Sequence, residues 1–106
     1  MLEVNKYRNK KTILDGITFD SMKEAKRYKQ LKIFERSGLI KDLKLQVPFL
    51  LIDKSSNGRA IKYVADFVYT EDNKMVVEDV KGVRTDVYRL KKRLLAERYG
   101  IVIKEV

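Results

Sequence analysis

Two extended runs separated by a short polar turn constrain this chain more than any other feature. The first reads Tyr63-Val-Ala-Asp-Phe-Val-Tyr-Thr70, the second Lys74-Met-Val-Val-Glu-Asp-Val-Lys81, with Glu71-Asp72-Asn73 between them. Both are rich in β-branched and aromatic residues, and the residues between them are turn formers. A symmetric hairpin centred on Asp72-Asn73 pairs Thr70 with Met75 and Val68 with Val77. Continued further, it sets Asp66 opposite Asp79, with Cβ atoms roughly 4.5–5.5 Å apart. The two-residue alternation of a strand places Lys81 on the face of Asp79, and Glu78, opposite Phe67, on the other. A one-residue bulge would exchange Glu78 and Asp79. The Asp-x-Lys spacing favours Asp79, which alone keeps acid and lysine on one face.

Opposed carboxylates repel, so a sheet that buries them needs a compensating charge. A divalent cation supplies one. The alternative is surface hairpin charge paired with lysines, and the apolar flanks of both runs favour the first reading.

Composition narrows the chemistry. The 106 residues suffice for one domain with a modest core. The expected organisation is a basic arm over 1–11 and a single domain over 12–106. No apolar run approaches a membrane span and no signal-peptide stretch opens the chain, so a cytoplasmic protein without membrane contact is expected. The absence of cysteine excludes disulfides and thiolate metal sites. The absence of histidine excludes imidazole-dependent nucleases, zinc fingers and His-based triads. Any catalysis falls to carboxylate, lysine, tyrosine or metal. With 24 Lys and Arg against 15 Asp and Glu, the net charge of +9 suits a polyanionic partner, of which nucleic acid is the commonest.

Along the chain, Thr12 to Phe19 carries a hairpin signal at Asp15-Gly16. Asp20 or Ser21 opens a helix with apolar positions at Met22, Ala25, Tyr28, Leu31 and Phe34, stopped by Gly38. Leu43 to Ile52 reads as an extended run in which Pro48 marks an edge strand or a bulge. After the central hairpin, Thr85 or Asp86 caps a second helix, with Val87, Leu90, Leu94 and Leu95 expected towards the core. Gly100 ends it, and residues 101–106 form a last short strand. The order is helix, three strands, helix, strand, and the helical crossover predicts a parallel strand beside an antiparallel meander.

An α/β chain with an αβββαβ core, a mixed sheet flanked by helices, Asp on the second strand and Asp-x-Lys on the third resembles the PD-(D/E)XK, or restriction-endonuclease-like, nuclease superfamily. Residues of about 12–105 also resemble short phage and prophage proteins of that superfamily. The matching stretches are Asp15-Gly-Ile-Thr-Phe-Asp-Ser-Met-Lys-Glu24, Tyr63-Val-Ala-Asp-Phe-Val-Tyr69 and Val77-Glu-Asp-Val-Lys-Gly82. Ala65 stands where the motif's proline often lies, and the third-strand acid is Asp rather than the more frequent Glu.

The resemblance implies roles residue by residue. Asp66 and Asp79 would hold Mg²⁺, with Mn²⁺ as a substitute, and the Val80 carbonyl could add a ligand. Lys81 would orient or deprotonate the attacking water and stabilise charge on the phosphorane. Glu24 matches a first-helix glutamate that reaches the metal cluster in related nucleases. Ser21-Met-Lys-Glu24 is also a capping-box pattern, in which the glutamate only bonds the cap. Gln46 either points at the site or is an edge-strand amide facing solvent. Arg84, Tyr88, Arg89, Lys91 and Lys92 would form a phosphate-binding rim, or a solvated basic helix face. The implied function is a Mg²⁺-dependent DNA endonuclease of phage type in the cytoplasm of a bacterial host, acting in recombination, repair or processing alongside phage recombination or replication proteins. Branched DNA such as a Holliday junction is the implied substrate, and symmetric cleavage there implies a homodimer. The alternative is a non-catalytic DNA-binding protein that retains the fold.

Overall fold

Two tight turns set the strand registers. In the computed structural model, which describes residues 11–106, Asp15 and Gly16 have φ of 53° and 74°, and Asp72 and Asn73 have φ of 52° and 63°. Left-handed values at both central residues are the type I′ signature that matches the twist of paired strands. The first turn joins β1 (Thr12–Leu14) to β2 (Ile17–Phe19). The second joins β4 (Ile61–Glu71) to β5 (Lys74–Asp79), pairing Thr70 with Met75, Val68 with Val77 and Phe67 with Glu78. The basic arm expected over 1–11 lies outside the described residues, apart from Lys11.

Between these hairpins run α1 (Met22–Arg36) and β3 (Lys41–Ile52); after β5 come α2 (Asp86–Tyr99) and β6 (Lys104–Glu105). The Ser21 hydroxyl caps α1 by accepting from the Glu24 N–H, and the Thr85 hydroxyl caps α2 by accepting from the Tyr88 N–H. Gly100, with φ of 68°, closes α2 in the left-handed conformation that favours glycine. The expected αβββαβ order is present. The larger sheet runs β3-β4-β5-β6, antiparallel except for the parallel β5–β6 pair. Pro48 lies in β3 at the sheet edge, where its missing N–H costs least. No helix among the described residues is long and apolar enough to cross a membrane.

The sheet divides two cores. Phe19, Ala25, Tyr28, Leu31, Phe67 and Tyr69 gather under α1, whereas Tyr63, Ala65, Val77, Tyr88, Leu95 and Ile103 gather under α2. In β3 and β4 the side assignment changes midway. Leu43, Leu45, Phe67 and Tyr69 pack with the α1 core, whereas Val47, Phe49, Tyr63 and Ala65 pack with the α2 core. Strict alternation would keep these odd-numbered residues on one face. The change falls at Gln46, whose φ of 53° is left-handed, and at Asp66 across from it; the pairing passes from Leu45↔Phe67 to Val47↔Ala65.

Three sequence expectations need correction. Strand β3 begins at Lys41 rather than Leu43, and β6 occupies only two of the residues expected. Val87 and Leu90 are 63% and 59% exposed, not core. Helix α2 instead meets the sheet through Tyr88 and Leu95, two turns apart, which rotates the adjacent apolar stripe outward. On α1, Ala25, Tyr28 and Leu31 are buried as their spacing predicts, while Met22 stays half exposed in the first turn.

Candidate active site

The break in β3 and β4 lies where β4 parts from β5. Beyond Phe67↔Glu78, the β5 chain leaves its partner and its main chain turns to β6: Val106 N–H donates to the Asp79 carbonyl, and Lys81 N–H to the Val106 carbonyl. Asp66 bridges the opening, accepting from the Val80 N–H at 2.8 Å through Oδ2. Its carboxyl group lies beside that of Asp79, close enough for a hydrogen bond when one of the two is protonated. The two aspartates therefore converge, as the hairpin register predicts, and Glu78 points to the other face.

Asp79 is 3% exposed, and one of its oxygens carries most of its bonding. Oδ2 accepts from the Tyr63 hydroxyl at 2.6 Å and pairs with the Lys81 ammonium at 2.9 Å. The same ammonium sits 3.9 Å from the centroid of the Tyr88 ring, a cation–π contact. Across the site, Lys23 Nζ donates to the Lys81 carbonyl at 2.9 Å. Gln46 Nε2 donates to Glu24 Oε1 at 3.3 Å and to Asp66 Oδ1 at 3.4 Å. The left-handed backbone at Gln46 thus coincides with an amide that ties a helix carboxylate to a strand carboxylate. Of these groups, Lys23, Glu24, Asp66, Asp79, Val80 and Lys81 line a cavity of about 570 Å³ that also reaches Asp20, Val83 and Thr85.

The electrostatics follow from this crowding. Burial, then the hydrogen bond with Asp79, lifts the Asp66 pKa from 3.8 to about 8, against the opposing pull of the Val80 N–H. Burial, then the charges of Asp20 and Asp79, raises that of Glu24, with Lys81 opposing. Burial and the bond to Asp79 raise that of Tyr63, which keeps its hydroxyl a donor.

At Glu24 the serine half of the capping box forms, and among the described residues no bond runs from its carboxylate back to the Ser21 N–H. The Glu24 N–H serves the Ser21 cap, while its carboxylate faces Gln46 and the cavity. Gln46 is drawn into the site. Of Val80, the bond shown is its N–H to Asp66. Of the expected rim, Arg84, Tyr88 and Lys92 converge on Glu105, whereas Arg89 and Lys91 stand apart. Arg89 pairs with Asp86, and Lys91 is half buried on the helix. Tyr88 is 7% exposed with its hydroxyl donated to Glu105 at 2.6 Å, so it supports Lys81 from beneath rather than standing on a rim.

Two participants escape the sequence reading. Alternation from Asp66 would send Tyr63 to the opposite face, and only the break in β4 brings it to Asp79. Lys23 carries no signal that separates it from the other lysines of α1.

The donors fit a hard cation. They are all oxygens, with no histidine or cysteine in the chain. Among the described residues no group of three or more acidic side chains forms a cage for a metal. Mg²⁺ seldom uses such a cage, being held by one or two carboxylates with water and substrate phosphate completing the shell. Asp66 and Asp79 meet that requirement, and Glu24 stands within reach of the Gln46 link.

The family described as "Protein of unknown function (DUF1064)" matches residues 4–105. No curated protein and no solved structure matches the chain.

Proposed function

The chain belongs to the DUF1064 family, and we propose that it is a metal-dependent DNA endonuclease of PD-(D/E)XK type, hydrolysing phosphodiester bonds with Mg²⁺ or Mn²⁺. One observation carries this reading: Asp66 and Asp79 touch on the floor of an open cavity with Lys81 bonded to one of them. Binding DNA phosphates does not require clustered carboxylates, which would repel them.

Asp66 and Asp79 would hold the cation, with Glu24 and the Val80 carbonyl as further oxygen donors. A bound divalent cation supplies charge neutralisation at the phosphate and a more acidic water. The protein's own groups do the rest. The Tyr63 hydroxyl and the Lys81 ammonium both engage Asp79 Oδ2 and fix the orientation of the carboxylate. Lys81, fixed by Asp79 and the Tyr88 ring, presents its remaining N–H donors to the phosphate, where negative charge grows as the water attacks. Gln46 holds Asp66 and Glu24 in their mutual orientation before substrate arrives. The raised pKa of Asp66 means that cation binding expels a proton.

The +9 charge supports DNA as the substrate. Branched DNA in phage recombination, repair or processing is the substrate class proposed, and a four-way junction would be cut by a homodimer. Incubating plasmid, linear duplex and four-way junction with the protein and Mg²⁺ or Mn²⁺ tests the reading, with EDTA as control. Cleavage that depends on the cation is expected. DNA binding without cleavage would identify a non-catalytic protein that keeps the fold.

A further inference from the structure

A second pocket, of about 220 Å³, lies between α1 and the residues that follow β5 and β6, and is lined by Lys23, Lys26, Arg27, Gln30, Val80 and Val106. It adjoins the acidic cavity, with which it shares Lys23 and Val80. The four helix residues are spaced to form one stripe. No acidic side chain lines this pocket.

Its polar atoms are arranged as donors. Lys23 and Lys26 make no ion pair among the described residues. Lys23 bonds only a backbone carbonyl, which leaves N–H groups of its ammonium for a ligand. Arg27 is locked in plane by two bonds to Glu78, at 2.6 and 2.8 Å, and donates to Gln30 Oε1 at 3.0 Å. That bond uses the acceptor of Gln30 and leaves its amide N–H₂ as the open group. Around the start of α2 the cations are partly matched instead: Arg84 and Lys92 pair with Glu105, and Arg89 with Asp86.

We propose that this pocket is a phosphate-binding subsite, and that it takes the DNA backbone phosphate next to the scissile one on the same strand. The subsite itself rests on the donor set; its flanking-phosphate role rests on the nuclease reading above. Lys23 at the seam would then contact both phosphates, and the strand would run along α1 rather than along α2.

Two measurements separate the subsite from the nuclease reading. In the first, metal-free protein is titrated with inorganic phosphate while backbone and Gln30 side-chain amide shifts are followed. Saturable shifts confined to 23–30 are expected, and Lys26→Gln should weaken them severalfold. Shifts absent from this stripe would overturn the subsite, whatever the outcome of cleavage assays. In the second, a single neutral methylphosphonate is moved along one strand of a four-way junction bound in Ca²⁺, the scissile position having been mapped with Mg²⁺. A neutral linkage adjacent to the scissile position should weaken wild-type binding severalfold and leave Lys26→Gln unaffected. Equal losses in both proteins would overturn the flanking-phosphate role, with cation-dependent cleavage still standing.

Discussion

Glu78 and Asp79 are neighbours on β5, and the strand sends their carboxylates to opposite faces. Glu78 is fully buried, gripped by both arms of Arg27, and accepts from the Tyr69 hydroxyl. Its charge is balanced by one cation and its oxygens are occupied, so the group is closed and belongs to the α1 side. Asp79 is nearly as buried but faces Asp66, with Glu24 close by and one ammonium, that of Lys81, bonded to it. It opens onto the larger cavity, which Glu78 does not line. Burial of an acid therefore says little about function. Imbalance of charge beside an open volume says much more, because it defines what is missing.

The largest expected effect tests the open side. Asp79→Asn or Asp66→Asn should lower cation-dependent cleavage by about 10²–10³-fold or more, since each removes charge from the site that stabilises the transition state. Circular dichroism should show an unchanged fold, and the metal-free variant should be as stable as wild type at pH 8 or more so. Wild-type cleavage by either variant would remove the aspartates from catalysis.

The closed side should fail differently. Glu78→Ala strands the Arg27 guanidinium in a largely buried position and is expected to cost about 3–5 kcal/mol in urea unfolding. At saturating DNA, whatever fraction stays folded should retain the wild-type cleavage rate per folded molecule, and any consequence of freeing Arg27 should fall on DNA affinity. A loss of rate without a loss of stability would place Glu78 in the chemistry and dissolve the contrast between the faces.

Sharpening the comparison falls to Tyr63. Tyr63→Phe preserves ring packing and deletes one of the two contacts at Asp79 Oδ2. Removing such a supporting bond typically weakens metal affinity or activity by about 10–100-fold. Calorimetric titration with Mn²⁺ reads the affinity directly, and a positioning role predicts that the loss appears there. Unchanged affinity with an unchanged rate would make Tyr63 a packing residue only.

The parts of the site that the sequence reveals are those that depend on turn chemistry. Asp72-Asn73 admits a type I′ turn, that turn dictates the register, and the register places Asp66, Asp79 and Lys81 together with Glu78 behind them. The αβββαβ order follows from equally local signals, caps at Ser21 and Thr85 and stops at Gly38 and Gly100. What escapes depends on a backbone conformation that propensity disfavours. A glutamine mid-strand with positive φ is not readable from its neighbours, and through it the sheet changes which core its residues face. Tyr63 reaches Asp79 for that reason. The exposed Val87 and Leu90 escape on other grounds: α2 carries two adjacent apolar stripes, and only docking on the sheet decides which is buried.

The last effect is one of pH, and its sign distinguishes a crowded carboxylate from a paired one. Asp66 has a folded pKa of about 8 against an ordinary 3.8, so between those values the folded chain keeps a proton that the unfolded chain releases. Stability of the metal-free protein should therefore decline from this group as pH rises from about 4 to about 8, and level off above. Glu105, bonded by Tyr88 and by the cations of Lys92 and Arg84, has a pKa lowered to about 2. Its contribution is present above about 4.5 and is lost as pH falls towards 2, the opposite slope in a lower window. Urea unfolding in EDTA across pH 3–9 should then show a maximum near the lower end of the Asp66 window. Asp66→Asn should flatten the descending limb and leave the acid limb in place. Millimolar Mg²⁺ should flatten the same limb in wild type, because a cation bound to the ionised carboxylates stabilises the folded state more as the proton leaves. If Asp66→Asn and wild type follow the same descending limb, the proton is held elsewhere and the crowding of Asp66 against Asp79 is not what the open face stores.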